Sequence, residues 1–313
     1  MTTAETTPQA PGGIAMLAGR PVARVGYGAM QLAEQRAGHP APDRQAAVAV
    51  LRAAVEQGVN HIDTAQFYGA GACNELIRDA LQPYPEDLVL ASKVGADHDS
   101  GQGRLVPAQR PEQLRASVEA NLASLGTDQL ALVNLRRLDT QPGLLAEGDQ
   151  RVDLDSQLAD LIALRDEGKI GGIGLSNVSP GQLRQAVPAG IACVQNAYSV
   201  LDRSSESLLD LCREHDLAWV PFFPLGSAFP GRPKVTEHPA VLAVAASLGA
   251  TPAQVGLAWL LTRYSHMLLI PGTANLAHLA GNLAAGSIHL EPDTIVALDH
   301  LASGELQTPG KPN

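Results

Sequence analysis

The chain has 313 residues, 45% of them hydrophobic and 17% charged, a balance that excludes disorder of the whole chain. No uninterrupted apolar run reaches the roughly 18 residues that mark a transmembrane helix, so no membrane span is expected. With 22 Lys and Arg against 32 Asp and Glu, the formal net charge is −10, and an acidic chain without a basic block is a poor partner for nucleic acid.

The N-terminal stretch Met1–Gly13 lacks the cationic start and apolar core of a signal peptide and reads as a flexible tail, leaving residues 14–313 as one domain. Ile14–Leu17 and Pro21–Arg24 flank Gly19 and predict a small hairpin. Arg24–Gly28 follows as a strand. Asp43 reads as the N-cap of a helix whose apolar positions Ala47, Val48, Leu51, Ala54 and Val55 recur at helical spacing until Gly58. Strand Asn60–Asp63, helix Asn74–Leu81, strand Leu88–Lys93 and helix Pro111–Leu125 come next; the last has proline in its first turn and Gly126 past its end. The alternation continues with strand Leu130–Arg136, helix Leu154–Glu167, strand Ile170–Ser176 and helix Pro180–Val187. Strand Cys193–Asn196, helix Ser205–His215 and strand Ala218–Phe222 lead to helices Pro239–Leu248 and Pro252–Arg263. Strand Met267–Ile270, helix Leu276–Ala285 and an additional helix Pro292–Leu301 close the chain.

Eight strands, each followed by a helix, imply a parallel sheet. Without a break in composition they predict closure into one (β/α)8 TIM barrel, with the short N-terminal hairpin and the C-terminal extra helix as additions. An open doubly wound sheet is the alternative. It needs a glycine-rich turn between its first strand and helix; Gly26-Tyr27-Gly28 is too short, and a loop to Asp43 follows. Gly95–Arg110 and Ser227–His238 show no periodic pattern and read as long loops at the C-terminal mouth, where a barrel builds its site.

Asp63 ends the second strand, Tyr68 lies in the following loop, and Lys93 ends the third strand. Neighbouring parallel strands lie roughly 4.8 Å apart, so the three can converge. A phenol is a feeble acid at neutral pH, and a nearby ammonium lowers its pKa. Asp63 would keep Lys93 charged and aimed, leaving Tyr68 able to protonate a developing alkoxide. Singly, each residue is as well explained by structure: a cap, a solvated lysine, a core-edge tyrosine. Cys73, Cys193 and Cys212 form no CxxC pair, and the nine histidines have no paired ligand spacing, so no metal or disulfide is implied. Reduced thiols fit a cytoplasmic protein.

The run Gly58-Val-Asn-His-Ile-Asp63-Thr-Ala-Gln-Phe-Tyr68-Gly69 resembles the signature of the aldo-keto reductases. Leu90-Ala-Ser-Lys93, Leu125-Gly-Thr-Asp128, Gly168–Asn177, Val194–Ser199, Pro224-Leu225-Gly226 and Ile270-Pro-Gly-Thr273 resemble further segments of that family, in order. The resemblance implies a barrel that binds NADPH without a Rossmann fold and reduces an aldehyde or ketone, with Asp63, Tyr68 and Lys93 catalytic and Tyr68 the proton donor. It further implies Ser176, Asn177 and Gln195 at the nicotinamide carboxamide, Phe222 stacking on the nicotinamide, and Leu225 and Gly226 at the pyrophosphate. Gly272, Thr273, His278 and Asn282 fall in the segment for the adenosine end. Met30, Gln31, Phe67 and Phe229 are candidates for the substrate wall, with packing as an equal reading.

Two departures stand out. The family's fourth-strand His is replaced by Arg136, which shares the inward parity of Asn134 while Arg137 faces away. A permanent cation with five donors can stabilise an oxyanion, grip an anionic substrate group, or sit in a salt bridge. The adenosine segment also lacks the Lys and Arg that many members place against a 2′-phosphate. Val25–Gln31, His61–Gly69, Pro83–Asp87 and Val133–Arg136 resemble a bacterial pyridoxal reductase-like branch, which implies conversion of pyridoxal to pyridoxine. Rival readings are a nucleotide-binding redox-sensing subunit and an isomerase or hydrolase without cofactor. Oligomeric state is not legible.

Overall fold

The computed structural model describes residues 10–32, 43–99, 104–140, 143–226 and 233–302. The hairpin comes first, as β1 (Ile14–Leu17) paired antiparallel with β2 (Arg20–Ala23). Then follow β3 (Tyr27–Gly28), α1 (Arg44–Glu56), β4 (His61–Asp63), α2 (Ala72–Leu81), β5 (Val89–Val94), a second hairpin of β6 (Ala96–His98) and β7 (Leu105–Pro107), and α3 (Pro111–Leu125). The chain continues through β8 (Leu132–Arg136), α4 (Leu154–Asp166), β9 (Ile173–Ser176), α5 (Pro180–Ala186), β10 (Ile191–Gln195), α6 (Glu206–Glu214) and β11 (Ala218–Trp219). Helices α7 (Pro239–Leu248), α8 (Pro252–Arg263), α9 (Leu276–Ala284) and α10 (Pro292–Asp299) complete it.

Helix ends follow local chemistry. The Asp43 carboxylate accepts from the amides of Gln45 and Ala46. Ser179 with Gln182 and Thr251 with Gln254 form reciprocal capping boxes before α5 and α8. Gly126 and Gly249 end α3 and α7 in the left-handed conformation.

Seven strands run parallel in the order β3-β4-β5-β8-β9-β10-β11. Segment 267–270 is the eighth and closes the barrel. The Leu268 amide donates to Trp219 O on one side, and the Leu269 amide donates to Arg24 O on the other. The strand is thus held by single bridges, and the first and seventh barrel strands are also shorter than the sequence predicts. Glycine explains the closeness of the seam: a Cβ on Gly28 would stand 2.5 Å from Ile270 O.

Period-two alternation divides the core. Ile62, Leu90, Val133, Leu135, Leu175 and Val194 point outward against helix residues such as Leu51, Ile77, Leu114 and Leu161. Ala15, Leu17 and Val22 of the first hairpin pack with Val89, Ala91, Leu132, Ala218 and Leu268, plugging the N-terminal end of the barrel. Apart from His61, the inward-facing polar side chains described below stand toward the C-terminal mouth. Trp219 and Trp259 are fully buried, as the sequence predicts. The guanidinium groups of Arg203 and Arg263 both lie over the Trp259 ring, 4.9 and 5.3 Å from its centroid, and its indole N–H donates to Asp299 at 2.9 Å, which ties α10 to α8.

Two expectations need correction. The predicted tail ends earlier: residues 1–9 lie outside the described residues, but the Val25 amide donates to Pro11 O and the Arg24 amide to Gly13 O, so residues 10–13 are laced to the barrel. The predicted loop Gly95–Arg110 contains the hairpin β6–β7, because Gly95, at φ +109°, turns the chain and leaves short segments free to pair. Among the described residues, no single helix is long and apolar enough to cross a membrane.

His61 shares the inward parity of Asp63 and lies deep in the barrel, its ring occupying the place a Cβ on Gly26 would need. Burial pulls its pKa from 6.5 to about 4, against a weaker opposing contact with the Ala23 backbone. The folded state therefore requires neutral His61. Its contribution to stability is full above pH 6.5 and is lost as pH falls through about 4. Urea denaturation at stepped pH checks this: His61→Leu should remove about 3 kcal/mol of the acid-side loss over that window.

Candidate active site

The strand register assembles the site. Asp63 is opposite Ala91 on β5, Lys93 is opposite Asn134 on β8, and Arg136 is opposite Ser176 on β9, itself opposite Gln195 on β10. Inward parity thus makes a layer of Lys93, Asn134, Gly174 and Cys193, with Arg136, Ser176 and Gln195 one layer nearer the mouth.

Asp63 and Lys93 form an ion pair between Nζ and Oδ1, with side chains 4% and 8% exposed. The ammonium also donates to Thr64 O at 3.1 Å. Tyr68 lies on its remaining side, with the ring centroid 5.0 Å from Nζ. Burial pulls the Lys93 pKa down, but Asp63 and Tyr68 outweigh it, so the group is held above 10.5 and stays charged. The sequence predicts convergence of these three residues, and the structure brings them together.

The phenol differs from expectation in one respect. Tyr68 is 8% exposed, and desolvation is the largest influence on it, followed by the opposing pull of Lys93. Asp63 raises its pKa and Arg136 lowers it. The net result is a pKa above the ordinary 10.0, not below it. Burial was invisible in residue spacing, and it costs the phenolate more than one ammonium returns. Tyr68 is therefore a phenol that stays protonated across neutral pH.

Arg136 is half-buried and faces the mouth, with its guanidinium carbon 5.7 Å from the Phe67 ring centroid. Arg137 points outward, as predicted from parity, and is held by Asp139, Gln157 and Val152 O. Phe67 is buried edge-to-face on Tyr68, with centroids 5.2 Å apart.

The residues that the resemblance assigns to a nicotinamide cofactor line one side of the mouth. Gln195 donates through Nε2 to Asp63 Oδ2 at 2.7 Å, which leaves its Oε1 as the acceptor; that atom is buried without a hydrogen-bond partner among the described residues. A carboxamide N–H is the kind of donor it lacks, so the donor set fits such a group. Ser176 is buried at the end of β9, and Asn177, at φ +57°, donates from its side chain to Arg137 O. Phe222 is half-buried and edge-to-face with Phe223 at 5.1 Å. Leu225 O accepts from Val235, and Gly226 approaches Pro233 O too closely to carry a Cβ.

Gly272 is pressed against Gly28 O with Gln31 close by, and Thr273 is buried with its carbonyl accepting from the Tyr27 hydroxyl. His278 is exposed in the first turn of α9, and Asn282 is half-buried one turn on. Met30 packs partly against the core. Phe229 lies outside the described residues.

Several supporting residues escaped the sequence reading. His98 on β6 bonds Phe67 O at 2.8 Å. Gln109 donates to both Gly95 O and Arg136 O, fixing the end of β8. Thr64, Gln66, Asn74, Asn121 and Ser124 form a polar cluster behind the Tyr68 loop. Polar residues at outward, helix-facing positions were the available signal for that cluster; Ser92 beside Lys93 is one.

Comparison with known proteins agrees with this geometry. Pyridoxine 4-dehydrogenase of Escherichia coli (strain K12) is 43% identical over 282 residues, 90% of this chain and 95% of that protein. An uncharacterized oxidoreductase of Schizosaccharomyces pombe is 31% identical over 91% of this chain and 88% of its own length. The crystal structure of an aldo/keto reductase from Klebsiella pneumoniae in complex with NADP and acetate superposes with a TM-score of 0.74 at 28% identity, covering 92% of this chain and 94% of that one. Residues 24–303 match the Aldo/keto reductase family. An eight-stranded barrel whose mouth unites Asp63, Tyr68 and Lys93, matched over nearly its whole length, places the chain in the aldo/keto reductase family of oxidoreductases.

Proposed function

We propose that this protein interconverts an aldehyde and its alcohol with NADP(H), that Tyr68 is the proton donor in reduction, and that pyridoxal and pyridoxine are the substrate pair. The observation that carries the reading is the protonated, buried Tyr68 phenol beside a Lys93 ammonium that Asp63 keeps charged, with Nζ 5.0 Å from the ring centroid. The 43% identical relative is a pyridoxine 4-dehydrogenase, and Klebsiella pneumoniae relatives were solved with NADP and with NADPH.

The cofactor, when bound, supplies hydride to the carbonyl carbon. The chain supplies the proton and the surroundings. As charge develops on the carbonyl oxygen, Tyr68 donates its proton there, and Lys93 stabilises the phenolate left behind. Asp63 holds Lys93 in place and also turns the Gln195 amide so that Oε1 is offered to a carboxamide. Ser176 and Asn177 would share that amide, Phe222 would cover the ring, and the backbone at Leu225 and Gly226 would approach the pyrophosphate. Gly272, Thr273, His278 and Asn282 would hold the adenosine end. Met30, Gln31 and Phe67 would wall the substrate.

Arg136 gives this site its own character. Pyridoxal carries a ring hydroxyl beside the aldehyde, and that hydroxyl ionises readily. A guanidinium at the mouth can pair with the resulting phenolate and orient the aldehyde toward Tyr68. The same cation lowers the Tyr68 pKa, opposing the effect of burial.

Three outcomes test this. Tyr68→Phe should reduce NADPH-dependent turnover of pyridoxal by about 10²–10⁴-fold while quenching of protein fluorescence by NADPH is kept; equal turnover would remove Tyr68 from the mechanism. Reduction needs the phenol and oxidation needs the phenolate, and the Tyr68 pKa lies above 10.0. Stopped-flow rates should therefore be level in reduction across neutral pH, while pyridoxine oxidation climbs with pH and reaches no plateau below that value. Arg136→Met should raise the KM for pyridoxal about 10–100-fold but leave that for a neutral benzaldehyde within about threefold; equal effects on both would remove the phenolate contact.

A further inference from the structure

Lys93 has three N–H donors and uses them in different directions. One goes to Asp63 Oδ1 and one to Thr64 O at 3.1 Å, which leaves the last on the side of the Tyr68 ring, whose centroid is 5.0 Å from Nζ. The Thr64 carbonyl thus decides, together with Asp63, where the third donor points. Thr64 is itself fully buried and held from two sides. Its amide donates to Ala91 O at 2.8 Å, and its hydroxyl donates to Asn74 Oδ1 at 2.8 Å.

Asn74 is equally buried and is the hub of the cluster. Its amide nitrogen faces Gln66 Oε1 at 2.9 Å, Asn121 Oδ1 at 2.9 Å and Ser124 Oγ at 3.0 Å. Asn121 Oδ1 also accepts from Ser92, the residue before Lys93, at 2.6 Å. Helices α2 and α3 are therefore bonded both to the strand that carries Lys93 and to the loop that carries its carbonyl partner. A backbone carbonyl in a loop would otherwise be free to rotate away from the ammonium.

We propose that Thr64, locked by Asn74, is a positioning residue that presents its carbonyl to Lys93 and so directs the last ammonium N–H at the Tyr68 hydroxyl. The proposal rests on the reading of Tyr68 as the proton donor. Charged and titratable groups facing this pair are Asp63 from β4, Arg136 from β8 and Cys193 from β10, with His98 of β6 against the neighbouring Phe67. The Cys193 thiol is pushed far above its usual range by burial. The cluster residues Thr64, Gln66, Asn74, Asn121 and Ser124 carry no titrating group.

The test compares Thr64→Val, which removes the hydroxyl at nearly constant volume, with Thr64→Ser, which keeps it, and with Asn74→Ala, which removes the acceptor. Pyridoxine oxidation by NADP⁺ is followed from neutral to alkaline pH, with thermal melts and the KM for NADP⁺ measured in parallel. Thr64→Val and Asn74→Ala should each displace the rising limb to higher pH by about half to one unit, because a poorly aimed ammonium supports the phenolate less. The kcat at fixed pH should fall about 3–10-fold with the KM for NADP⁺ unchanged. Thr64→Ser should restore the parent profile. Either hydroxyl-bond variant that folds suffices. Profiles that superpose on the parent in a folded variant, or a loss explained by melting alone, overturn the proposal. Turnover in Tyr68→Phe equal to the parent overturns the assignment of Tyr68 and the proposal with it; loss in Tyr68→Phe with superposed Thr64 and Asn74 profiles overturns the proposal alone.

Discussion

The site depends on one ion pair, Asp63 with Lys93, placed where water barely reaches. Removing two charges from water costs several kcal/mol each, and only close contact with further hydrogen bonds offsets it. Here those additional bonds exist: Thr64 O accepts from the ammonium, and the Gln195 amide donates to the carboxylate. The same burial keeps Tyr68 in its neutral form. A solvent-exposed version of this triad would be screened and free to rotate, and the phenol would gain little from its neighbour.

The barrel converts a simple alternation into this arrangement. A strand offers every second side chain to the lumen, and eight strands leave little room there. Apolar side chains of the N-terminal hairpin fill the lower end, so the inward polar residues other than His61 gather toward the other. Gly28, Gly174 and Gly272 matter because backbone or a neighbouring side chain occupies the space a Cβ would take. The asymmetry between Arg136 and Arg137 has the same origin. One step along β8 separates a guanidinium that faces the mouth from one locked against Asp139 and Gln157.

Much of this was legible in the residues. Proline at first turns, glycine at helix ends and capping side chains such as Asp43 punctuate the chain clearly, and the βα alternation predicts the barrel. Inward parity places Asp63, Lys93 and Arg136 correctly. What spacing does not carry is the degree of burial, and burial sets the direction of the Tyr68 shift. Pairing that depends on distant residues was equally hidden. Residues 10–13 look like a tail until Val25 and Arg24 bond to them, and β6–β7 looks like a loop until Ala96 meets Pro107. The cluster around Asn74 draws on residues spread from Thr64 to Ser124, and its only trace in the sequence is polar residues at helix-facing positions, whose partners lie far along the chain.

The two oxygens of Asp63 serve different partners, Oδ1 the ammonium and Oδ2 the Gln195 amide. In the proposed mechanism, proton delivery and seating of the nucleotide's amide would therefore share one carboxylate. Any substitution at 63 perturbs both together, so its kinetic effect has no single-step interpretation. Double-mutant cycles pairing Asp63 with Lys93 and Asp63 with Gln195 separate the two couplings. The division of labour between chemistry and ligand affinity in this enzyme is measured from those two couplings, not from the single replacement.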